Sequence, residues 1–188
     1  TLTFTITGVA SGQSAATGES GNTDIATTAT SIPWGSLTSG AAKVARQDLT
    51  VATNATNGFI VTLNFDQALT SAAGDTIDFF KDGSTQASST VWASPSGTTG
   101  RVNTYGHMGF TSEDSDIGSN RTASEDFGIA LYAGDATSTH VVFDHTGSAD
   151  GTTADKGATK IGFKIESAPR QESGDYSAQL TYVVTPTF

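Results

Sequence analysis

The stretch GFIVTLNF, residues 58–65, alternates apolar and polar side chains with the period of a β-strand. Successive side chains of a strand point to opposite faces, so its four alternate apolar residues share one face: Phe59, Val61, Leu63 and Phe65. The dipeptide Asn57-Gly58 directly precedes them and is a strong turn signal. This stretch therefore predicts a half-buried strand that enters from a tight turn.

The same alternation recurs along the chain, in THVVFDH (139–145), KIGFKIE (160–166) and DYSAQLTYVV (175–184). Between Ala41 and Gln47 the residues would allow a single helical turn and nothing longer. About nine to eleven strands at this spacing are typical of a sandwich or barrel. We therefore predict an all-β fold, an antiparallel β-sandwich of the jelly-roll or immunoglobulin-like type.

The first seven residues, TLTFTIT, form another alternating strand, with Leu2, Phe4 and Ile6 on one face and threonines on the other. Residues 8–23 are rich in Gly, Ser and Ala, which predicts a flexible linker. Residues 24–188 show no composition shift, so they are predicted to form a single β-sandwich domain.

A connection of about 16 residues is uncommon inside a compact domain. It therefore favours an opening strand that pairs outside its own sheet. The alternative is that the strand pairs within its own sandwich through a long loop.

The amino-acid composition excludes some classes of binding partner. The net charge is −10 and only nine Lys and Arg are present, which argues against nucleic acid or an anionic membrane as partner. No stretch of about 18 apolar residues occurs, so no membrane-spanning segment is predicted.

The chain has no cysteine, which excludes disulfides and zinc–thiolate sites. It opens on Thr1 rather than Met, which favours a mature secreted or cell-surface protein.

One acidic stretch, SEDSDIGSNRTASEDFG (112–128), resembles a calcium loop in its spacing. Offsets 1, 3, 7 and 12 of such a loop fall on Asp114, Asp116, Asn120 and Glu125. The glycine stands at offset 5 instead of 6, and no helical pattern flanks the stretch, so a solvated acidic loop is the alternative. Calcium is the one cofactor that the sequence raises.

The sequence holds no motif of hydrolytic, metal-dependent or phosphate-binding catalysis, and we do not expect an enzyme. Four aromatic residues within strand-like patterns could instead stack on sugars, as in carbohydrate-binding sandwiches: Trp34, Trp92, Tyr105 and Tyr132. A role in the core is the alternative for each of them.

Three stretches together resemble secreted bacterial surface β-proteins of the pilin type: TLTFTIT with its linker, TNATNGFIVTLNF (53–65) and SGDYSAQLTYVVTPTF (173–188). The closing pattern of Gly174, Tyr176, Leu180, Thr181 and Tyr182 is similar to the last strand of several pilin-like sandwiches. The chain lacks the cysteine pair of chaperone–usher pilins, so self-assembling filament subunits are the nearer comparison.

The resemblance implies that the N-terminal strand inserts into the neighbouring subunit, head to tail, and forms a homopolymer. The matching side chains would be Leu2, Phe4 and Ile6, with Val9 beside them. Burial of the first three contributes about 5 to 8 kcal/mol, whereas association costs about 4 to 15 kcal/mol. A second contact between subunits is therefore expected. A secreted carbohydrate-binding or adhesion module, and a virion or S-layer shell protein, are the alternatives.

Overall fold

The computed structural model describes residues 1–16, 19–80, 89–95, 105–115, 117, 127, 130–134 and 139–188. These residues form strands and no α-helix, so the predicted all-β class is confirmed. None of the described residues belongs to a helix that could cross a membrane. The strands are β1 (Leu2–Gly8), β2 (Lys43–Thr53), β3 (Phe59–Phe65), β4 (Leu69–Ser71), β5 (Thr76–Phe79), β6 (Thr90–Val91), β7 (Gly106–Ser112), β8 (Leu131–Tyr132), β9 (His140–His145), β10 (Ala149–Asp150), β11 (Ala158–Ser167), β12 (Tyr176–Ser177) and β13 (Leu180–Pro186).

Sheet 1 has the strand order β1-β2-β11-β7-β5-β4-β12, and β10 also pairs with β2. Sheet 2 has the order β13-β3-β9, and a short pair joins β6 to β8. All pairs are antiparallel except β5 with β7. The arrangement is consistent with a β-sandwich.

The core lies between the two sheets. It contains the predicted inward face of β3 together with fully buried side chains from β2, β9 and β11, among them Leu49, Val51, Phe143, Ile161 and Phe163. The Phe59 and Phe143 rings meet edge to face with centroids 4.8 Å apart. Aromatic and β-branched residues at alternate positions thus fill the core, as their strand propensity favours.

The single helical turn that the sequence would allow between Ala41 and Gln47 does not form. Lys43–Gln47 forms the first part of β2, and these residues pair with Ile161–Ile165 of β11. Pairing with a central strand overrides the local helical preference of Lys, Ala and Arg, because a ladder on β11 buries Ala45 completely.

The turn of residues 54–58 links β2 to β3 and marks one end of the molecule, which we call the turn end. Leu2 pairs with Thr53 and Pro186 with Phe59, so β1 begins and β13 finishes there. Gly8 pairs with Gln47 and Leu180 with Phe65 at the opposite end, which we call the cleft end. β1 and β13 are thus edge strands of the two sheets that run in opposite directions.

Candidate assembly interface

The opening strand occupies an edge of its own sheet. Seven consecutive residues of β1, Leu2–Gly8, pair with Gln47–Thr53 of β2 in a regular register. Leu2, Phe4 and Ile6 are half-buried and pack against the core, while the threonines between them are exposed. The predicted strand and its apolar face are therefore present, and within this chain the pairing is intramolecular.

The apolar face of β1 lies against the other terminal strand. The Phe4 and Tyr182 rings meet edge to face with centroids 6.4 Å apart. The Tyr182 hydroxyl donates to Gln47 Oε1 at 3.3 Å, and burial raises the pKa of this phenol. At the turn end, the Thr1 ammonium donates to Asn54 Oδ1 at 2.6 Å.

A tight backbone crossing ends β1. A Cβ added to Gly8 would lie 2.3 Å from the Thr27 carbonyl oxygen, so no larger residue fits there without displacement. Val9 N donates to Thr27 Oγ1 at 2.9 Å, and Thr27 N donates to the Val9 carbonyl at 2.9 Å. Thr27 Oγ1 also donates to the Arg46 carbonyl of β2 at 2.6 Å. This buried threonine therefore fastens the end of β1 to the sheet, and Val9 belongs to that fastening rather than to the strand.

The prediction of a flexible linker over residues 8–23 is corrected by the contacts of this segment. Residues 9–27 leave and return at the Val9–Thr27 contact, and we call this segment the N-terminal loop. Gly12 N donates to the Thr23 carbonyl at 2.8 Å and Thr23 N donates to the Gln13 carbonyl at 2.7 Å. Ala15 and Ala16 are buried. Small side chains, which suggested flexibility, instead allow close packing: Ala16 lies over Gly162, where an added Cβ would approach it to 3.0 Å.

Glu19 fixes the N-terminal loop to the outer side of sheet 1. Its carboxylate accepts hydrogen bonds from Lys164 Nζ at 2.8 Å and from the Tyr132 hydroxyl at 2.8 Å. Burial and the neighbouring carboxylate raise the pKa of the Tyr132 phenol. Lys164 Nζ also lies 5.4 Å from the centre of the Trp92 ring. Sequence reasoning missed this cluster because its members are up to 145 residues apart.

The two terminal strands lack the usual protection of sheet edges. Residues 1–18 and 176–188 contain no charged side chain, although the whole chain has a net charge of −10. Edge strands are commonly blocked by charges, prolines or bulges. β1 contains none of these, and β13 has only Pro186 at its last position. Among the described residues, neither strand thus carries the charges that usually block pairing at a sheet edge.

A cleft of about 1260 Å³ opens at the cleft end, between residues 29–39 and residues 167–180. Its floor is apolar and includes Phe65, Leu69 and Met108. Trp34 and Tyr176 are among the residues that line it. This cleft gives direct access from the surface to side chains of the core.

The predicted calcium residues are only partly described. Asp116, Asn120 and Glu125 lie outside the described residues. Asp114 is buried, and its Oδ2 accepts the Asp144 amide at 2.9 Å. Within the described part of the chain, no three His, Cys, Asp or Glu residues cluster as metal ligands. The Asp114 carboxylate thus has a structural role in joining its loop to β9, and the calcium site stays a prediction.

The four aromatic residues considered for stacking on sugars lie in different environments. Tyr132 is buried, and Trp92 stacks on Phe80 with ring centroids 4.6 Å apart. Tyr105 and Trp34 are half-buried, and Trp34 packs against the core while it lines the cleft. Trp34 therefore lies at the cleft, whereas Tyr105 lines a smaller recess beside residues 169–172.

Comparison of the chain with protein-family models, with curated proteins and with solved structures finds no match.

Proposed function

We propose that this protein is the structural subunit of an extracellular, pilin-like homopolymer in which β1 of one copy pairs with β2 of the next. The single observation that carries the proposal is the uncharged, regular β1 edge, held by seven backbone pairs and three apolar side chains. An identical strand from a second copy would make the same contacts with Gln47–Thr53. The site is thus self-complementary in chemistry as well as in register.

The fastening at Gly8 and Thr27 supports a defined point of exchange. β1 pairs with β2 up to Gly8. The N-terminal loop begins at Val9 and makes its own hydrogen bonds to the rest of the domain. A seven-residue strand is about 23 Å long. Once released at Gly8, such an arm spans the length of the matching site on a neighbour.

An engineered disulfide tests the exchange, since the chain has no cysteine of its own. Thr5 and Thr50 lie directly opposite each other on β1 and β2, and opposed residues of antiparallel strands are close enough for a disulfide. The double variant Thr5→Cys/Thr50→Cys, oxidised as a monomer, should form no polymer in negative-stain electron microscopy, and reduction should restore assembly. The matched control is Thr70→Cys/Ser177→Cys, an opposed pair on β4 and β12, which should assemble when oxidised.

Oxidation after assembly distinguishes a β1 that pairs with β2 of its own chain from a β1 that pairs with β2 of a neighbour. Exchange predicts a ladder of covalent oligomers from the Thr5/Thr50 variant on a non-reducing gel. Monomer bands alone from assembled material would refute exchange. Micrographs also separate filaments from the flat lattices or closed shells of an S-layer or virion subunit, and a wild-type chain that stays monomeric refutes the homopolymer.

The cleft favours a second candidate function, a secreted binding module. An apolar floor beside Trp34 and Tyr176 has the character of a small-ligand recess. A glycan array probed with the wild-type chain and with Trp34→Ala tests this candidate. Binding that the substitution abolishes, with an unchanged melting temperature, would support it.

A further inference from the structure

The cleft end of the molecule is where β1 passes into the rest of the chain. β1 begins at the turn end with Leu2. It finishes at the cleft end, where Gly8 pairs with Gln47 of β2. Gln47 also lines the cleft, together with Ile6 of β1. The hinge of an exchanged β1 therefore lies beside the mouth of the cleft.

The register limits the distance between the copy that gives β1, the donor, and the copy that receives it, the acceptor. An exchanged Gly8 lies opposite Gln47 of the acceptor, and opposed Cα atoms of antiparallel strands are about 5.5 Å apart or closer. The Cα of Val9 follows about 3.8 Å further along, and Val9 is held in the donor by its hydrogen bonds to Thr27. Val9 of the donor is then within about 9 Å of Gln47 in either copy. The cleft ends of the two copies are therefore adjacent.

Strand exchange requires a second contact between the copies. β1 makes the same pairs with β2 whether it comes from its own chain or from a neighbour, so exchange alone adds no interaction that the single chain lacks. Association still costs translational and rotational freedom. A contact that exists only between copies must offset that cost. It is expected at the cleft ends, because the short hinge holds the two copies together there.

The rim of the cleft offers apolar surface for such a contact. Ile32, Trp34 and Leu37 line one side of the cleft and are only half-buried in the single chain. The floor behind them is apolar and includes Phe65 and Met108. Apolar surface removed from water contributes about 25 cal/mol per Å². A second copy seated on the mouth of the cleft would remove both the rim and the floor from water.

The two sides of the cleft differ in charge. Residues 29–39 contain no ionisable side chain, and the Lys43 ammonium lies on this side, where it donates to the Trp34 carbonyl at 2.9 Å. Residues 167–180, on the other side, carry two carboxylates and one cation. Two acidic sides that face each other repel. The 29–39 side of one copy therefore fits the 167–180 side of the other, and a two-fold arrangement makes this contact twice.

We infer that the mouths of two clefts face each other when β1 is exchanged, and that the rims of the clefts form the second contact between subunits. This inference rests on the exchange of β1 in the proposed function. The partner that covers the cleft is then a second copy of this chain. A polymer built in this way has its cleft ends inside and its turn ends outside.

Distances between spin labels in assembled protein test which ends meet. The chain has no cysteine, so Ser36→Cys labels the rim of the cleft and Thr56→Cys labels the turn end, both at exposed positions. Pulsed electron paramagnetic resonance should give a shorter distance between the Ser36 labels of neighbouring copies than between their Thr56 labels. The difference should be about 20 to 46 Å, because each copy places the length of β1, about 23 Å, between its two ends.

A charge at the rim tests the contact itself. Ser36→Glu adds a carboxylate that faces the acidic side of the neighbouring cleft, so it should raise the critical concentration for assembly, measured by sedimentation, about threefold. Ser36→Lys places the opposite charge at the same site and should not raise it. Thr56→Glu is the matched control at the turn end and should change the value less than about twofold.

The outcomes separate the inference from the proposed function. A shorter Ser36 distance, with impairment confined to Ser36→Glu, supports the inference. Equal distances at both positions, as in a head-to-tail chain, or equal effects of Ser36→Glu and Ser36→Lys, overturn it and leave the cleft open to a small ligand, while the exchange of β1 stands. A closed dimer with close Ser36 labels supports the inference but overturns the polymer. A wild-type chain that stays monomeric overturns both.

Discussion

Replacement of Thr27 by Val tests the fastening that ends β1. The substitution exchanges a hydroxyl for a methyl group of similar size, so the volume of the buried side chain is nearly kept. It removes the acceptor of Val9 N and the donor to the Arg46 carbonyl, at 2.9 and 2.6 Å. Both Val9 and Thr27 are buried, with 7% and 8% of their surfaces exposed. Water therefore cannot readily replace the missing partner of the Val9 amide.

The expected loss of unfolding free energy follows from the two lost hydrogen bonds. A buried donor without a partner costs about 1–3 kcal/mol, and a lost bond whose other partner can be satisfied elsewhere costs about 1 kcal/mol. The added methyl group returns about 0.8 kcal/mol of burial. The net loss of unfolding free energy is then about 1.5–3 kcal/mol. For a domain of this size each kcal/mol lowers the melting temperature by about 2–4 °C, so we expect a decrease of about 3–12 °C.

Thr30→Val is the matched control, because Thr30 is an exposed threonine of the turn that follows Thr27, and surface substitutions usually change stability by less than about 0.5 kcal/mol. Thermal unfolding of both variants measures the difference. Hydrogen exchange of the Val9 amide should also accelerate in Thr27→Val, and polymer should form sooner because β1 is released more often. Equal melting temperatures for the two variants would refute the fastening.

Three further predictions concern the same region. Gly8→Ala should cost about 3 kcal/mol, because its Cβ collides with backbone at 2.3 Å; Gly12→Ala, strained only by a φ of 80°, should cost about 1 kcal/mol. Glu19→Gln, which removes the charge beside Lys164, should lower the unfolding free energy measured in urea by about 1.5–3 kcal/mol, and an unchanged midpoint would contradict the role of Glu19. Burial raises the pKa of Tyr182, so the folded chain retains a proton that the unfolded chain loses; stability should fall above about pH 10, and Tyr182→Phe should flatten that fall.

A strand could be predicted from the sequence where its apolar residues alternate with polar ones, so that one face is buried. The alternation in GFIVTLNF and TLTFTIT indicated both the strands and their buried sides, because a one-residue shift would expose every apolar side chain. The start of β2 could not be predicted, since Lys43–Gln47 is extended only through its pairing with β11. Local preference carries no information about that partner.

The N-terminal loop shows a different limit of sequence reasoning. Its Gly, Ser and Ala residues are those of flexible linkers, and nothing local distinguishes them from residues chosen for close packing. What orders the loop lies far along the chain, at Gly162, Lys164 and Tyr132. The role of Glu19 follows only once these residues are brought together.

The opposite directions in which β1 can be loaded have a mechanical consequence. In the single chain, a pull on Thr1 directed away from β2 would detach Leu2 from Thr53 first and open the ladder one pair at a time. In the proposed polymer, an exchanged strand would instead be pulled from Gly8, along its own axis and away from the cleft end of the acceptor. Its seven pairs would then bear the tension together in shear, so the ladder that peels apart within one molecule would resist stretching between two.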